Sequence, residues 1–373
     1  MQTFDAELTQ RVIFGENSIE KLGELTRDLG GSRVFIVTDR GIEKAGILAR
    51  AISALQSERI AAYVFADVSP NPTTEDVENA VAVARADAPI DLIIGLGGGS
   101  SMDCAKGANF LLTNGSKMED YWGINKATQP MLPSLGIPTT IGTGSEAQSF
   151  ALIAQAETHI KMACGDRKAK FGTVILDATL TETLPRSVAA ITGIDAIAHA
   201  IESFVSTRRN PMSQMFAQHA WQLLDMNFEA VLESKDTTAR STMLFGAYLA
   251  GLAIENSMLG AAHACANPLT ARYGITHGVA VALMLPHVIR FNSTLAGESY
   301  RQLHPSGDLV DRIIELKEIS NLPNTLQECS VQSTIKTADI PILAKEASIQ
   351  WTAQFNPRPL STQDFTQLYE AVY

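Results

Sequence analysis

An aspartate and a histidine four residues apart, Asp195 and His199, sit in a stretch that is otherwise almost wholly apolar. On a helix, positions i and i+4 lie one turn apart on the same face. The neighbours Ile194, Ala196, Ile197, Ala198 and Ile201 give the pattern of a buried helix. A carboxylate taken out of water needs compensation. A divalent cation with the imidazole as second ligand would supply it. A hydrogen-bonded Asp–His pair inside a core would do the same, and this segment alone leaves both readings open. Two more histidines bear on the choice. His263 lies in a run of small residues, Ala262-His263-Ala264-Cys265-Ala266-Asn267, and His277 follows the turn at Gly274. Three imidazoles and one carboxylate suit zinc or ferrous iron. His287 is spare and reads as a core residue or a support for the ligands.

The second group of chemical residues is Gly97-Gly98-Gly99-Ser100-Ser101 with Asp103 and Lys106. A glycine run between a strand and a helix lets backbone N–H groups approach an anion at the positive helix end. It is not the Rossmann dinucleotide fingerprint: counted from Gly95, the third glycine falls at Ser100. A tight strand–helix turn is the bland alternative, and three successive glycines exceed what a turn needs. Asp39, at the end of the first strong strand, could receive a ribose 2′-hydroxyl and repel a 2′-phosphate, or simply cap the helix that follows. Residues 138–146, Pro-Thr-Thr-Ile-Gly-Thr-Gly-Ser-Glu, follow another strand directly, at the carboxyl end where open α/β sheets bind ligands, with a plain loop as the alternative.

The elements that must carry these groups change along the chain. Short β-branched runs at 33–38, 60–65, 91–96 and 135–139 read as buried parallel strands. Between them, 18–29, 41–55, the stretch opening at Thr73/Thr74, and the residues that follow the 97–103 turn through Leu112 read as helices. This alternation predicts an open parallel sheet covered on both faces. Residues 150–156 and 159–164 read as a small hairpin, and 173–177 closes the α/β part. Beyond Pro185 the spacing predicts only helices, at 186–205, 212–234, 238–254, 263–272 and 277–291. The expected organisation is therefore two domains, 1–185 α/β and 186–373 α-helical.

The 373 residues are 46% hydrophobic and 18% charged, as expected of a folded soluble protein. The formal net charge of −11 argues against nucleic acid or an anionic membrane as partner. The N-terminus lacks a basic segment followed by an apolar core, so no signal peptide is expected. The apolar runs read as shorter than a membrane span. Cys104, Cys164, Cys265 and Cys329 are widely spaced and read as reduced thiols of a cytoplasmic protein.

Taken in order, five local patterns resemble the iron-containing (group III) alcohol dehydrogenases. They are the glycine turn with Asp103 and Lys106, the 138–146 loop, Asp195 with His199, the stretch from His263 to His277-Gly278, and Leu285-Pro286-His287. The tail Asn356-Pro-Arg-Pro-Leu360 with Leu368-Tyr369-Glu370 is similar too. The resemblance spans nearly the whole chain. It implies the dehydroquinate synthase-like fold of that family: an α/β N-terminal dinucleotide-binding domain, an all-α C-terminal domain, and metal and nicotinamide in the cleft between them. By position it implies metal ligands Asp195, His199, His263 and His277. It implies NAD contacts from Asp39 and Asn71, from Gly97, Gly98, Ser100 and Asp103, and from Thr139, Thr140, Thr143 and Lys161. Asp39 is the family's mark for NAD over NADP, and a homodimer is what the family suggests.

The implied activity is metal-dependent, NAD-linked interconversion of a small alcohol and its aldehyde. One departure is specific: many relatives carry a second histidine four residues after His263, where this chain has Asn267. The strip Ala147-Gln148-Ser149, residues 164–168 and the linker near Ser306 are also unusual. Two rival classes follow. One is a metal-dependent lyase of the dehydroquinate synthase type, for which the site offers few basic residues. The other is a nucleotide-binding sensor without turnover.

Overall fold

The computed structural model describes residues 3–6, 8–86, 89–234, 236–329, 331 and 333–373. They form two compact units, Leu8–Leu184, and Pro185–Tyr373 with the described residues before Leu8.

The first unit runs β1 (Arg11–Phe14), α1 (Leu22–Asp28), β2 (Arg33–Val37), α2 (Arg40–Lys44), α3 (Ile47–Ser57), β3 (Ala61–Phe65), α4 (Thr74–Ala86), β4 (Leu92–Gly97) and α5 (Gly99–Asn114). It continues through β5 (Gly123–Ile124), β6 (Ser134–Pro138), β7 (Phe150–Ala154), β8 (Lys161–Gly165) and β9 (Thr173–Leu176). Six strands form one parallel sheet in the order β1-β9-β6-β4-β2-β3. Every residue of β4 is buried, as a strand covered on both faces requires. Val34, Ile36, Ile94, Leu135 and Ile175 pack with Leu22, Ala51 and Leu55 into one apolar cluster. Leaving out the edge strand β1, the order is that of a doubly wound sheet whose direction of growth reverses between β2 and β4. The carboxyl ends of those two strands border the crevice where such sheets bind ligands. A second, small sheet joins β5, β8 and β7, with β7 and β8 antiparallel.

Two expected helices are divided. Residues 41–55 form α2 and α3, because Gly46 takes φ +78°, which ends one helix and starts the other. Residues 18–29 begin as a 3₁₀ turn, Ser18–Lys21, before α1.

The second unit is helical, with no strand among its described residues: α6 (Arg186–Val205), α7 (Pro211–Glu233), α8 (Thr237–Glu255), α9 (Ala261–Tyr273), α10 (His277–Leu303), α11 (Leu309–Ile319), α12 (Ile340–Ser348) and α13 (Thr362–Glu370). Asn210 starts α7 with a capping box closed by Ser213. Contrary to the sequence expectation, α6 and α10 are long and apolar enough to cross a membrane by length and composition alone. Both are mostly buried inside the protein, so their apolarity is that of core helices.

Candidate active site

In the first unit, four segments meet at the carboxyl end of the sheet. The backbone pairing of Gly97 with Pro138 brings the glycine turn beside the 138–146 loop, and the Thr139 amide donates to the Gly97 carbonyl at 2.9 Å. Glycine gives room here. A Cβ on Gly97 would stand 2.5 Å from Ser101 Oγ, one on Gly98 3.2 Å from the Thr140 methyl, and one on Gly99 2.9 Å from the Thr143 methyl. The glycines thus let this backbone pack closely against Ser101, Thr140 and Thr143 at the positive end of a 16-residue helix.

The Asn71 amide donates to Ser100 Oγ at 3.1 Å, which ties a third segment to this turn. Asp39 is the fourth. Its Oδ1 accepts from the Gly41 and Ile42 amides, and its Oδ2 lies 3.3 Å from Ser101 Oγ. It therefore caps α2, with its second oxygen turned to Ser101 in the first turn of α5. Thr139 Oγ1 is buried with no hydrogen-bond partner among the described residues.

Beneath the turn is a buried polar core. Lys106, 1% exposed, donates to the Ser145 carbonyl, Ser145 Oγ and the Phe150 carbonyl. Ser145 Oγ donates in turn to Asp103 Oδ1 at 2.6 Å. Burial pushes the Asp103 carboxyl up, while the charges of Lys106 and Lys161 and the Ser145 hydroxyl pull it back. Lys161, first in β8, thus belongs to the same electrostatic neighbourhood.

In the second unit, three helices supply the other constellation. Asp195 and His199 project from α6, His263 from the first turn of α9, and His277 is the first residue of α10. Ligand atoms of Asp195, His263 and His277 all lie within 4.8 Å of one another. His199 Nε2 is 3.6 Å, and His263 Nε2 3.4 Å, from the same Asp195 Oδ1. The His199 and His263 rings stack with centroids 4.9 Å apart, and the His277 ring is 5.4 Å from that of His263. Gly278 sets this approach: a Cβ there would lie 2.5 Å from the Ile191 carbonyl of α6.

Burial works against ionisation of Asp195, but the neighbouring imidazoles of His199, His263 and His277 outweigh it and hold the carboxyl well below the usual range. Burial likewise lowers His263, while Glu202 and Asp195 more than offset it and raise the imidazole to about 9. Asp195 Oδ1 and His263 Nε2 are buried with no well-formed hydrogen bond among the described residues, although they face each other. A carboxylate oxygen and an imidazole nitrogen that face each other at 3.4 Å, each able to present a lone pair, are what a divalent cation satisfies. The donor set fits a metal.

Sequence reasoning passed over Glu202. Its Oε2 lies 2.6 Å from His263 Nδ1, and its Oε1 accepts the Ala262 amide at 2.7 Å. The signal was present: Glu202 is seven residues after Asp195 and three after His199, on the same helical face. Asn356 was visible only as part of the tail motif, without its role at the start of α9. It accepts the Ala261 amide at 3.2 Å. His287 lies outside the cluster's contacts; burial lowers its imidazole, helped by Arg290 and Lys317. Asn267 donates its side-chain amide to Gln350 Oε1 at 3.0 Å.

The model of the iron-containing alcohol dehydrogenase family matches residues 9–178, and that of the family's C-terminal part matches residues 189–373. The chain is 38% identical over 282 residues to alcohol dehydrogenase 4 of Schizosaccharomyces pombe, covering 75% of this chain and 67% of that protein. It is 29% identical to the NAD-dependent methanol dehydrogenase of Bacillus methanolicus, covering 95% of this chain and 96% of the relative. A crystal structure of 1,3-propanediol oxidoreductase superposes with a TM-score of 0.95 at 30% identity, covering both chains completely. Two adjoining family models, full-length similarity and the matching fold lead to one conclusion: this chain belongs to the iron-containing alcohol dehydrogenase family.

Proposed function

We propose that the chain interconverts a small alcohol and its aldehyde with NAD(H): alcohol and NAD⁺ give aldehyde, NADH and a proton. The observation that carries this reading is the convergence of Asp195, His263 and His277, with His199 Nε2 3.6 Å from Asp195 and with Asp195 Oδ1 and His263 Nε2 buried and unsatisfied. These four residues would hold a divalent cation, iron or zinc. Such a cation supplies Lewis-acid polarisation of the substrate oxygen, and NAD supplies the hydride acceptor.

The chain's own residues do the rest. The glycine turn and the α5 amides receive the dinucleotide phosphates. Ser100, Asn71, Thr139, Thr140 and Thr143 line that turn, and Asp103 and Lys161 set its charge. Asp39 Oδ2 receives a ribose hydroxyl and opposes a 2′-phosphate, so NAD is the cofactor rather than NADP. The lowered carboxyl of Asp195 provides the negative charge that offsets the cation. Asn267 cannot take a proton, and its amide is committed to Gln350; the proton released on oxidation passes to water or to a cofactor ribose hydroxyl. Four buried, unbridged cysteines suit a reducing cytoplasm.

The test is a panel of short alcohols and aldehydes with NAD(H), followed by NADH absorbance, on protein reconstituted with Fe²⁺ or Zn²⁺ and assayed for metal. Turnover that depends on metal and is abolished in His263→Ala, with metal content falling in parallel, is the expected result. A His263→Ala protein with full metal and full activity would end the proposal.

A further inference from the structure

We infer that Glu202 is the positioning residue that makes His263 a metal ligand: one carboxylate fixes both the imidazole tautomer and the start of the helix that carries the ring. This rests on the metal reading above and adds a residue to it.

The geometry is reciprocal. Glu202 Oε2 stands 2.6 Å from His263 Nδ1, and Oε1 takes the amide of Ala262, the residue just before it. Both side chains are buried, Glu202 at 4% and His263 at 3% exposed. α9 begins at Gly260 with no side-chain cap of its own. Its first amides are satisfied instead from afar, Ala261 by Asn356 Oδ1 and Ala262 by Glu202 Oε1. Gly260 keeps the approach open: a Cβ there would stand 3.1 Å from Glu202 Oε1.

An ionised carboxylate only accepts hydrogen bonds. With Oε2 against Nδ1, the ring hydrogen of a neutral His263 must sit on Nδ1. The lone pair is then on Nε2, the atom that faces Asp195 Oδ1 at 3.4 Å. A ligating histidine whose second nitrogen is held by a carboxylate is oriented and made more basic. Here the same helix face of α6 carries Asp195, His199 and Glu202, so one element sets two ligands and the orientation of a third.

Glu202→Gln preserves shape and breaks this logic. The amide has one acceptor and one donor. If its oxygen keeps the Ala262 amide, its NH₂ faces Nδ1, and the ring hydrogen moves to Nε2, where it blocks coordination. If the amide flips, the Ala262 amide loses its acceptor.

The experiment uses the full-length protein, stripped of metal, with Zn²⁺ titrated against a chromogenic chelator. Glu202→Gln is expected to weaken Zn²⁺ binding about 10- to 100-fold. In a His263→Ala background the same substitution is expected to change affinity by less than about threefold, because Glu202 acts through that ring. Asn356→Ala removes the neighbouring cap and is expected to lower the Tm while leaving Zn²⁺ affinity within about threefold. Wild-type affinity in Glu202→Gln overturns the inference. So does an undiminished loss in the His263→Ala background, which would mark a charge effect, or an equal loss in Asn356→Ala, which would mark helix placement alone. Should Glu202→Gln fail to fold, ¹⁵N-histidine spectra of Zn²⁺-loaded wild type decide. Nε2 coordination with a hydrogen on Nδ1 is expected, and Nδ1 coordination overturns the inference. A wild type that binds no Zn²⁺ instead refutes the metal reading itself, so the two failures are distinguishable.

Discussion

Lys106 and Ser145 are joined twice across 39 residues: Nζ donates to the Ser145 carbonyl at 2.7 Å and to its Oγ at 2.9 Å. A third bond, to the Phe150 carbonyl, exhausts the ammonium's donors. α5 is thereby fastened to the loop that faces the glycine turn. Lys106→Met keeps the bulk but strands two buried carbonyls and the Asp103 carboxylate. The expected cost is about 3–5 kcal/mol of stability, read by urea unfolding, together with weaker NADH binding by fluorescence titration. A variant as stable as wild type would show that this lysine is only filler.

Glu146 gives the pH dependence. Burial raises its carboxyl from 4.5 to about 7, against the pull of Lys106 and with help from Asp103. The folded state therefore binds a proton more tightly than the unfolded chain does. Its contribution is fully present below about pH 4.5 and is lost as pH rises through about 7. The difference between the two limits is about 3 kcal/mol. Glu146→Gln should flatten the Tm-against-pH curve between pH 5 and 7.5; an unchanged slope would assign the titration elsewhere.

Asp39→Asn separates cap from charge. Asparagine still accepts the Gly41 and Ile42 amides, so the fold and Tm should hold. Removing the negative charge should raise the ratio of kcat/KM for NADP to that for NAD by about tenfold, equivalent to ~1.4 kcal/mol. No change in that ratio would leave Asp39 with the cap alone.

Gly278→Ala presses a methyl toward the Ile191 carbonyl, 2.5 Å away. Because His277 is the adjacent residue, relief of this contact moves the ligand. The expected outcome is a loss of about 1–3 kcal/mol and reduced metal content by elemental analysis. Full occupancy in the variant would show that α10 can shift without moving His277.

Chelation should also lower the Tm, since a cation that binds only the folded chain stabilises it by about 4 kcal/mol at 1,000 times its Kd. Restoring Zn²⁺ should restore the Tm in wild type but not in His263→Ala.

The sheet was largely legible because its strands are short, β-branched and buried on both faces, and because glycine-rich turns punctuate them. β1 was invisible: Arg11-Val12-Ile13-Phe14 is brief and half exposed, and it pairs with β9 some 160 residues away. The divided helices were illegible for a local reason, since a single glycine in an otherwise helical pattern does not announce its φ. α11 to α13 carry ordinary amphipathic patterns and no chemical residues to draw attention. In the site, histidines and a mid-helix aspartate stand out against apolar neighbours. Glu202 did not, because a glutamate near a helix end usually faces solvent, and only its pairing with His263 gives it meaning. Lys106 was similar: its place in the motif was visible, its complete burial was not.

The contacts of Gly98 with Thr140 and of Gly99 with Thr143 carry an evolutionary consequence. A Cβ at 99 would crowd the Thr143 methyl at 2.9 Å and one at 98 would press on the Thr140 methyl at 3.2 Å, so the size of one residue bears on that of the other. Across the family, any residue bulkier than glycine at 98 or 99 should be accompanied by a smaller one at 140 or 143, and lineages lacking that trade should have abandoned the nucleotide.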